Sequence, residues 1–284
     1  MQGWRVLIAG CGDIGSALGQ RLARAGCEVF GLRRQAALIP PPIHPIAVDL
    51  SQPAALRRAL PHPFDAVVVS TTAGHFDAES YRRVYVEGLG NLLQALTGQP
   101  RVILVSSTSV YHQSAGEWVD EDSPTLPTRF PGQLQLEAER LLQEQCAARA
   151  TVVRFGGIYG PGRERLIGEV RAGIGCPREP PQYSNRIHRD DCVGVLEFLL
   201  QRLAAGQAPD AALYLGVDSE PATQWELRHW LAQRIGVELD DNAVSRSARA
   251  AGSKRCGNAR LLRAGYRLLY PSYREGYAAL LAQA

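Results

Sequence analysis

The sequence predicts an α/β fold, a doubly wound parallel sheet with a smaller C-terminal α/β lobe. Three observations carry that expectation. Short continuous Val/Ile/Leu runs bounded by turn residues recur along the first half of the chain, as strands covered on both faces require. Helix-period stretches separate those runs, which implies right-handed crossovers between parallel neighbours. The 284 residues are enough for one large α/β domain with an attached lobe and a substantial core.

In order, WRVLIAG reads as the first strand and GSALGQRLARAG as the first helix. CEVFGL, IHPIAV, FDAVVVS, RVILVSS and ATVVRFG follow as strands, with IPPPIHP at 39–45 a stiff connector. After about residue 156, GGIYGPGRERL and GIGCPREPPQYSNR are rich in turn residues and are expected to leave the sheet. DDCVGVLEFLLQRLA has the apolar spacing of a sheet-packed helix, and short strands and helices mix from about residue 206. The sheet domain is therefore placed at 1–158 plus 186–205, and the substrate lobe at 159–185 plus 206–284.

Composition narrows the function classes. Lys+Arg 31 against Asp+Glu 28 gives a net charge of +3, with the arginines scattered rather than clustered, so nucleic acid is not an expected partner. Lys254 is the only lysine, so the remaining side-chain cations are guanidinium groups that cannot serve as bases near neutral pH. The six cysteines, at 11, 27, 146, 176, 192 and 256, show no Cys-x-x-Cys spacing and no adjacent histidine cluster, so no metal site is expected and the thiols are read as reduced. No run approaches a membrane span and Met1 leads straight into a strand, so a cytoplasmic protein is expected.

The first turn carries the clearest chemistry. Gly10, Gly12 and Gly15 form GCGDIG between a strand and a helix. Gly10 permits the tight turn, Gly12 leaves room for a pyrophosphate, and Gly15 lets the helix approach the strand. Asp13 and Ile14 open that helix, whose free N–H groups face the phosphates, with Asp13 contributing mainly through its backbone. This is a dinucleotide-binding Rossmann pattern. At the end of the second strand the chain reads GLRR, and the arginine fork of Arg33 and Arg34 suits a 2′-phosphate, so NADP is favoured over NAD.

Several further stretches, namely VDL at 48–50, SSTSVY at 106–111, RFGGIYGPG at 154–162 and NRIHRDDCVGVL at 185–196, occur in order along most of the chain. Together with GCGDIG they resemble the extended short-chain dehydrogenase/reductase superfamily in its NAD-dependent epimerase/dehydratase branch. The resemblance implies that Asp49, with Leu50 beside it, contacts adenine, and that Ser70, Thr71 and Thr72 line the ribose and phosphates. It implies that Ser107 hydrogen-bonds the reacting oxygen and that Phe155 lies near the nicotinamide. A homodimer through helix pairs is a further family expectation.

The resemblance also exposes a gap. The family's acid/base pair, Tyr-x-x-x-Lys, falls on Pro131 and Gln135, neither of which exchanges a proton. A shifted register does not restore it, because no tyrosine lies between Tyr111 and Tyr159. The C-terminal stretch KRCGNARLLRAGYRLLYPSYREGY is similar to the tails of uncharacterised bacterial members of the family. Replacement candidates are His112, whose imidazole can relay a proton near neutral pH, the adjacent Tyr111, and the acidic loop EWVDEDSP at 117–124. Arg186 is a candidate for a substrate phosphate, His188 for orienting a loop, and Asp190 and Asp191 for capping the next helix. The sequence thus predicts an NADP-dependent oxidoreductase or epimerase-like enzyme for a small polar substrate, with a nucleotide sugar in range. The alternative is a non-catalytic NADP sensor that retains the binding fold.

Overall fold

The computed structural model describes residues 1–60, 63–207, 212–242 and 252–283. Along the chain, β1 (Arg5–Ala9), α1 (Asp13–Arg24), β2 (Glu28–Arg33), β3 (His44–Ala47), α2 (Pro53–Ala59) and β4 (Ala66–Val69) come first. Then come α3 (Ala78–Tyr81), a π-helical turn at Arg82–Glu87, α4 (Gly88–Ala95), β5 (Arg101–Ser107), β6 (Glu117–Val119), α5 (Phe130–Cys146) and β7 (Ala150–Phe155). The remainder is β8 (Gly157–Tyr159), α6 (Arg165–Arg171), β9 (Tyr183–Ser184), β10 (Arg186–His188), α7 (Arg189–Ala204), β11 (Leu213–Gly216), β12 (Ala222–Thr223), α8 (Gln224–Ile235), β13 (Lys254–Cys256), α9 (Ala259–Arg263) and α10 (Tyr273–Leu281).

Seven strands form one sheet in the order β11-β7-β5-β4-β1-β2-β3, with β1 parallel to both β2 and β4, β2 parallel to β3, and β4 parallel to β5. The order reverses at β1: the chain moves to β2 and β3 on one side and then to β4 and β5 on the other. Alternation decides which residues face which layer. Leu7, Ala9, Val67, Val69, Val102, Leu104 and Val152 point to one face and join Leu56, Leu89, Leu92, Ala138 and Leu142 from α2, α4 and α5. Their intervening neighbour Ile8 packs close to α1 at Gly15 and Gly19, and α1 meets α7 through Arg21 and Glu197 at 3.6 Å. Helices therefore cover both faces, as the continuous apolar strands predict.

Two compact units are present: residues 1–110, 127–154 and 193–214 form the first, and 111–126, 155–192 and 215–284 the second. In the first unit, α5 is pinned to β5 and β7 by buried charge. Arg154 Nε and Nη2 donate to Glu139 at 3.0 and 2.6 Å, and Ser106 Oγ donates to Glu139 Oε1 at 2.5 Å. Losing one partner of such a pair leaves an uncompensated buried charge, typically at a cost of about 3–5 kcal/mol.

The second unit has its own apolar centre, in which Tyr159, Ile167 and Val170 pack with Leu227, Leu231, Tyr273 and Tyr277. Two-residue and three-residue strands pair within it: β8 with β10, β9 with β12, and β6 with β13. The acidic stretch at 117–124, expected to be a loop, thus begins as a strand, because Glu117–Val119 finds a parallel partner in Lys254–Cys256. All six cysteines are buried and unbridged. Among the described residues no helix is long and apolar enough to cross a membrane.

Candidate functional site

In a doubly wound sheet the ligand crevice lies where the strand order reverses. Here that point is the gap between the ends of β1 and β4. Gly10 follows β1 with φ +89, a left-handed conformation that glycine adopts freely. A Cβ at Gly10 would lie 2.6 Å from Thr71 N and 2.7 Å from Ser70 O, so the turn after β1 is pressed directly against the backbone leaving β4. Ser70 Oγ donates to Gly10 O at 3.1 Å and fastens the two segments. Ser70 is therefore committed to the glycine turn through its hydroxyl, in addition to lining the crevice.

Gly12 sits at the N-cap of α1, and no side chain caps the helix. Nothing lies within 4 Å of where its Cβ would be. The helix end is thus left open beside Gly12, and an open helix N-terminus is the arrangement that receives a phosphate. Gly12 borders a cavity of about 660 Å³, whose wall also includes Gly10, Leu32, Arg33, Arg34, Asp49, Leu50, Ser70, Thr71 and Thr72. Arg33 closes β2 and Arg34 follows it, so both residues line the crevice from the second strand. Asp49 is held below the usual carboxylate range, first by the Ser51 N–H that it accepts at 2.9 Å and then by the nearby Arg34 and Arg83. The lining fits a dinucleotide: an open helix end for a pyrophosphate, a pair of guanidinium groups, and apolar Leu32, Val48 and Leu50 for a flat base.

Comparison with known proteins agrees. The family model of the NAD dependent epimerase/dehydratase family matches residues 6–212. The chain belongs to that family. A solved protein from Methylobacillus flagellatus, assigned to the NAD-dependent epimerases/dehydratases, is 39% identical with a TM-score of 0.83, over 99% of this chain and 98% of that one. Protein YeeZ of Escherichia coli strain K12 is 34% identical over 107 residues, 38% of either chain. The dTDP-6-deoxy-L-talose 4-dehydrogenase (NAD(P)(+)) of Kitasatospora kifunensis is 30% identical over 185 residues, 61% of this chain and 58% of that one. The chain thus spans little more than a third of the first curated relative and under two thirds of the second.

Within this family member, the structure gathers nine of the residues expected for the coenzyme around one cavity. Asp13, Ile14 and Gly15 lie in the first turn of α1 rather than in the cavity wall. The wall contains residues that sequence reading missed: Gln35, Val48, Gly74, His75, Arg83 and Val84. Arg83 and Val84 come from the π-helical turn, which has no distinctive sequence signal.

Ser107 ends β5 in the first unit, half-buried, and its Oγ accepts the Ser109 N–H at 3.1 Å, so its own hydrogen remains available for donation. Pro131 occupies the first turn of α5, where a missing N–H costs nothing. Gln135, one turn later, is buried with Oε1 lacking a partner.

Tyr111, His112 and Phe155 belong to the second unit. Tyr111 is buried and donates its hydroxyl to Asp120 O at 2.7 Å. His112 is exposed. The Phe155 ring lies against the backbone of Gly216, leaving no space for a side chain there. His188 is buried between Tyr159 and Tyr270, and burial lowers its pKa despite the nearby Asp190 and Asp191. The capping expectation for Asp190 and Asp191 needs correction, because α7 begins at Arg189 and both lie inside its first turn. Asp191 instead accepts from Leu269 N at 2.7 Å, Tyr270 N at 3.0 Å and Tyr266 Oη at 2.9 Å, clamping the C-terminal segment. Arg186 has a buried Nε without a partner.

Proposed function

We propose that this family member is an NADP-dependent oxidoreductase or epimerase-like enzyme acting on a small polar substrate, with nucleotide sugars the class to examine first. The observation that carries the reading is the cavity at the strand reversal, where an uncapped helix end, an open Gly12 and the Arg33–Arg34 pair line one space. Gly10 and Gly12 keep side chains away from the pyrophosphate, α1 supplies amide donors, and Arg33 and Arg34 hold the 2′-phosphate. Asp49 and Leu50 border the adenine. The Kitasatospora kifunensis relative, a dehydrogenase of a dTDP-sugar using NAD(P)(+), supports both the coenzyme and the substrate class.

A nicotinamide bound in this way supplies hydride transfer. Ser107 is the candidate to donate a hydrogen bond to the substrate oxygen, with the proton that the family's tyrosine would give coming from water or from the substrate itself. Arg186, within the second unit, is by itself a candidate for a phosphate group.

The test is continuous measurement of reduced-coenzyme absorbance across a panel of aldehydes, ketones and nucleotide sugars, with Ser107→Ala as the comparison. Turnover is expected for the natural chain and a fall of about 100-fold or more in kcat for Ser107→Ala, with coenzyme affinity retained. Unchanged kcat in Ser107→Ala contradicts its role. Pro131 and Gln135 at the usual acid/base positions favour a second reading, a coenzyme sensor without turnover. Coenzyme binding with no turnover across the panel supports that reading, whereas steady turnover excludes it.

A further inference from the structure

The wall of the cavity at the strand reversal carries five ionisable side chains: Arg33, Arg34, Asp49, His75 and Arg83. With His75 neutral, three guanidinium charges stand against one carboxylate, and two positive charges are left uncompensated. Among the described residues, none of these three arginine side chains takes part in a hydrogen bond or an ion pair. A wall of this kind is short of an anion.

Arg83 belongs to the π-helical turn, not to the strand end that holds Arg33 and Arg34. Packing fixes that turn beside the end of β3. Asn91 Nδ2, in α4 directly after the turn, donates to Leu50 O at 2.9 Å, and a Cβ on Gly88 would lie 3.0 Å from Leu50 Cβ. Arg82 donates from Nη1 and Nη2 to Glu137 of α5 at 2.7 and 3.0 Å, which anchors the turn to the next helix. Arg82 is thereby spent on a bidentate pair, whereas its neighbour Arg83 is exposed and lines the cavity. Asp77, an acid near Arg83, has its Oδ1 engaged by the Ser80 N–H at 2.7 Å, where it caps α3.

Asp49 sets the electrostatic requirement. Its Oδ1 accepts the Ser51 N–H, and Arg34 and Arg83 are both near enough to stabilise the carboxylate without pairing with it. An anion entering the cavity meets the repulsion of Asp49. A phosphate monoester carries roughly −1.5 to −2 charges near neutral pH. Two arginines less one aspartate leave a single positive charge, too little to balance it; the third arginine supplies the difference.

We propose that Arg83 is a specificity-determining residue of this cavity, joining Arg33 and Arg34 in holding a phosphate monoester on the adenosine ribose and offsetting the repulsion of that phosphate by Asp49. A guanidinium suits the task because it donates two parallel hydrogen bonds to phosphate oxygens and stays charged. Coenzyme choice is then divided between the end of β2 and a turn that lies beyond β4. The inference rests on the coenzyme reading for its ligand and deepens it.

The test is calorimetric titration with adenosine 2′,5′-bisphosphate and adenosine 5′-monophosphate, which carry the phosphates without the nicotinamide. In Arg83→Ala, affinity for the bisphosphate is expected to fall about 10-fold or more, while that for the monophosphate stays within about threefold. Adding Asp49→Asn to Arg83→Ala is expected to regain at least ~3-fold for the bisphosphate, because the uncompensated repulsion is removed. A merely structural loss in the π-helical turn would not be repaired in this way. Unchanged bisphosphate affinity in Arg83→Ala, or an equal loss for both nucleotides, overturns the proposal. No binding of either nucleotide by the folded natural chain overturns the coenzyme reading and the proposal together. Bisphosphate binding that depends on Arg83, with no binding of NADPH, supports the role of Arg83 and overturns the nicotinamide reading alone.

Discussion

Gly12→Ala is expected to remain folded and to lose coenzyme binding, whereas Gly10→Ala is expected to lose the fold's stability itself. The contrast follows from the space around each. At Gly12 the added methyl meets nothing within 4 Å, so stability should change far less than at Gly10. The methyl would, however, occupy the route of the pyrophosphate past the open helix end, and a loss of at least ~100-fold in affinity, about 2.8 kcal/mol, is expected in a calorimetric titration. At Gly10 the φ of +89 and backbone atoms 2.6 and 2.7 Å from the new methyl leave nothing that can give way easily. Strain and overpacking together should cost roughly 2–5 kcal/mol, visible as a drop of about 10 °C in Tm. Gly12→Ala with coenzyme affinity like that of the natural chain would mean that the pyrophosphate does not pass there.

Stability is expected to fall as pH rises from about 4 to about 8, and Asp218→Asn should remove most of that dependence. Asp218 is 2% exposed. Its Oδ1 accepts the Glu220 N–H at 3.2 Å, while Oδ2 has no partner. Burial pushes its pKa up to about 8, with Glu220 and Glu275 adding to the rise and the Glu220 N–H and Arg186 opposing it. A group raised in the folded state binds its proton more tightly there than in the unfolded chain. Its contribution is therefore complete below its ordinary value of 3.8 and is lost progressively as pH rises through about 8. The slope approaches ~1.4 kcal/mol per pH unit, so the total is on the order of a few kcal/mol. Asn keeps the acceptor for Glu220 and cannot ionise. Denaturant midpoints at pH 5 and pH 8.5 should differ clearly for the natural chain and much less for Asp218→Asn. Equal pH dependence in the two would show that Asp218 is not the titrating group.

What the sequence could disclose follows the range over which each signal acts. The phosphate turn is local: an apolar strand, three glycines and a helix start occupy residues 5–24, and each glycine has a steric reason that can be read from spacing. Arg33 and Arg34 were placed on this cavity by reading the end of the second strand, and Asp49 by the family resemblance. Arg83 and His75 were not, since they reach the cavity through a π-helical turn and a loop whose path depends on tertiary packing. The short strand at Glu117–Val119 was hidden for the same reason. Three residues carry little periodicity, and their pairing partner is Lys254–Cys256, far along the chain. Asp190 and Asp191 looked like caps from their place before an apolar helix. Only the fold shows Asp191 spending its lone pairs on Tyr266, Leu269 and Tyr270. Pro131 and Gln135 mark the opposite case, where the family resemblance implied a gap at the acid/base positions that no local spacing could fill.

The central claim is that the cavity at the strand reversal holds a phosphorylated nicotinamide coenzyme between the tip of α1 and the Arg33–Arg34 pair. Isothermal titration of the folded protein with NADPH and NADH tests it most directly. NADPH is expected to bind at least ~10-fold more tightly than NADH, and alanine at both arginines should erase that preference, since each charge-assisted contact is worth about 1.5–3 kcal/mol. Absence of heat from either coenzyme at millimolar concentration, with the chain shown to be folded, would contradict the account.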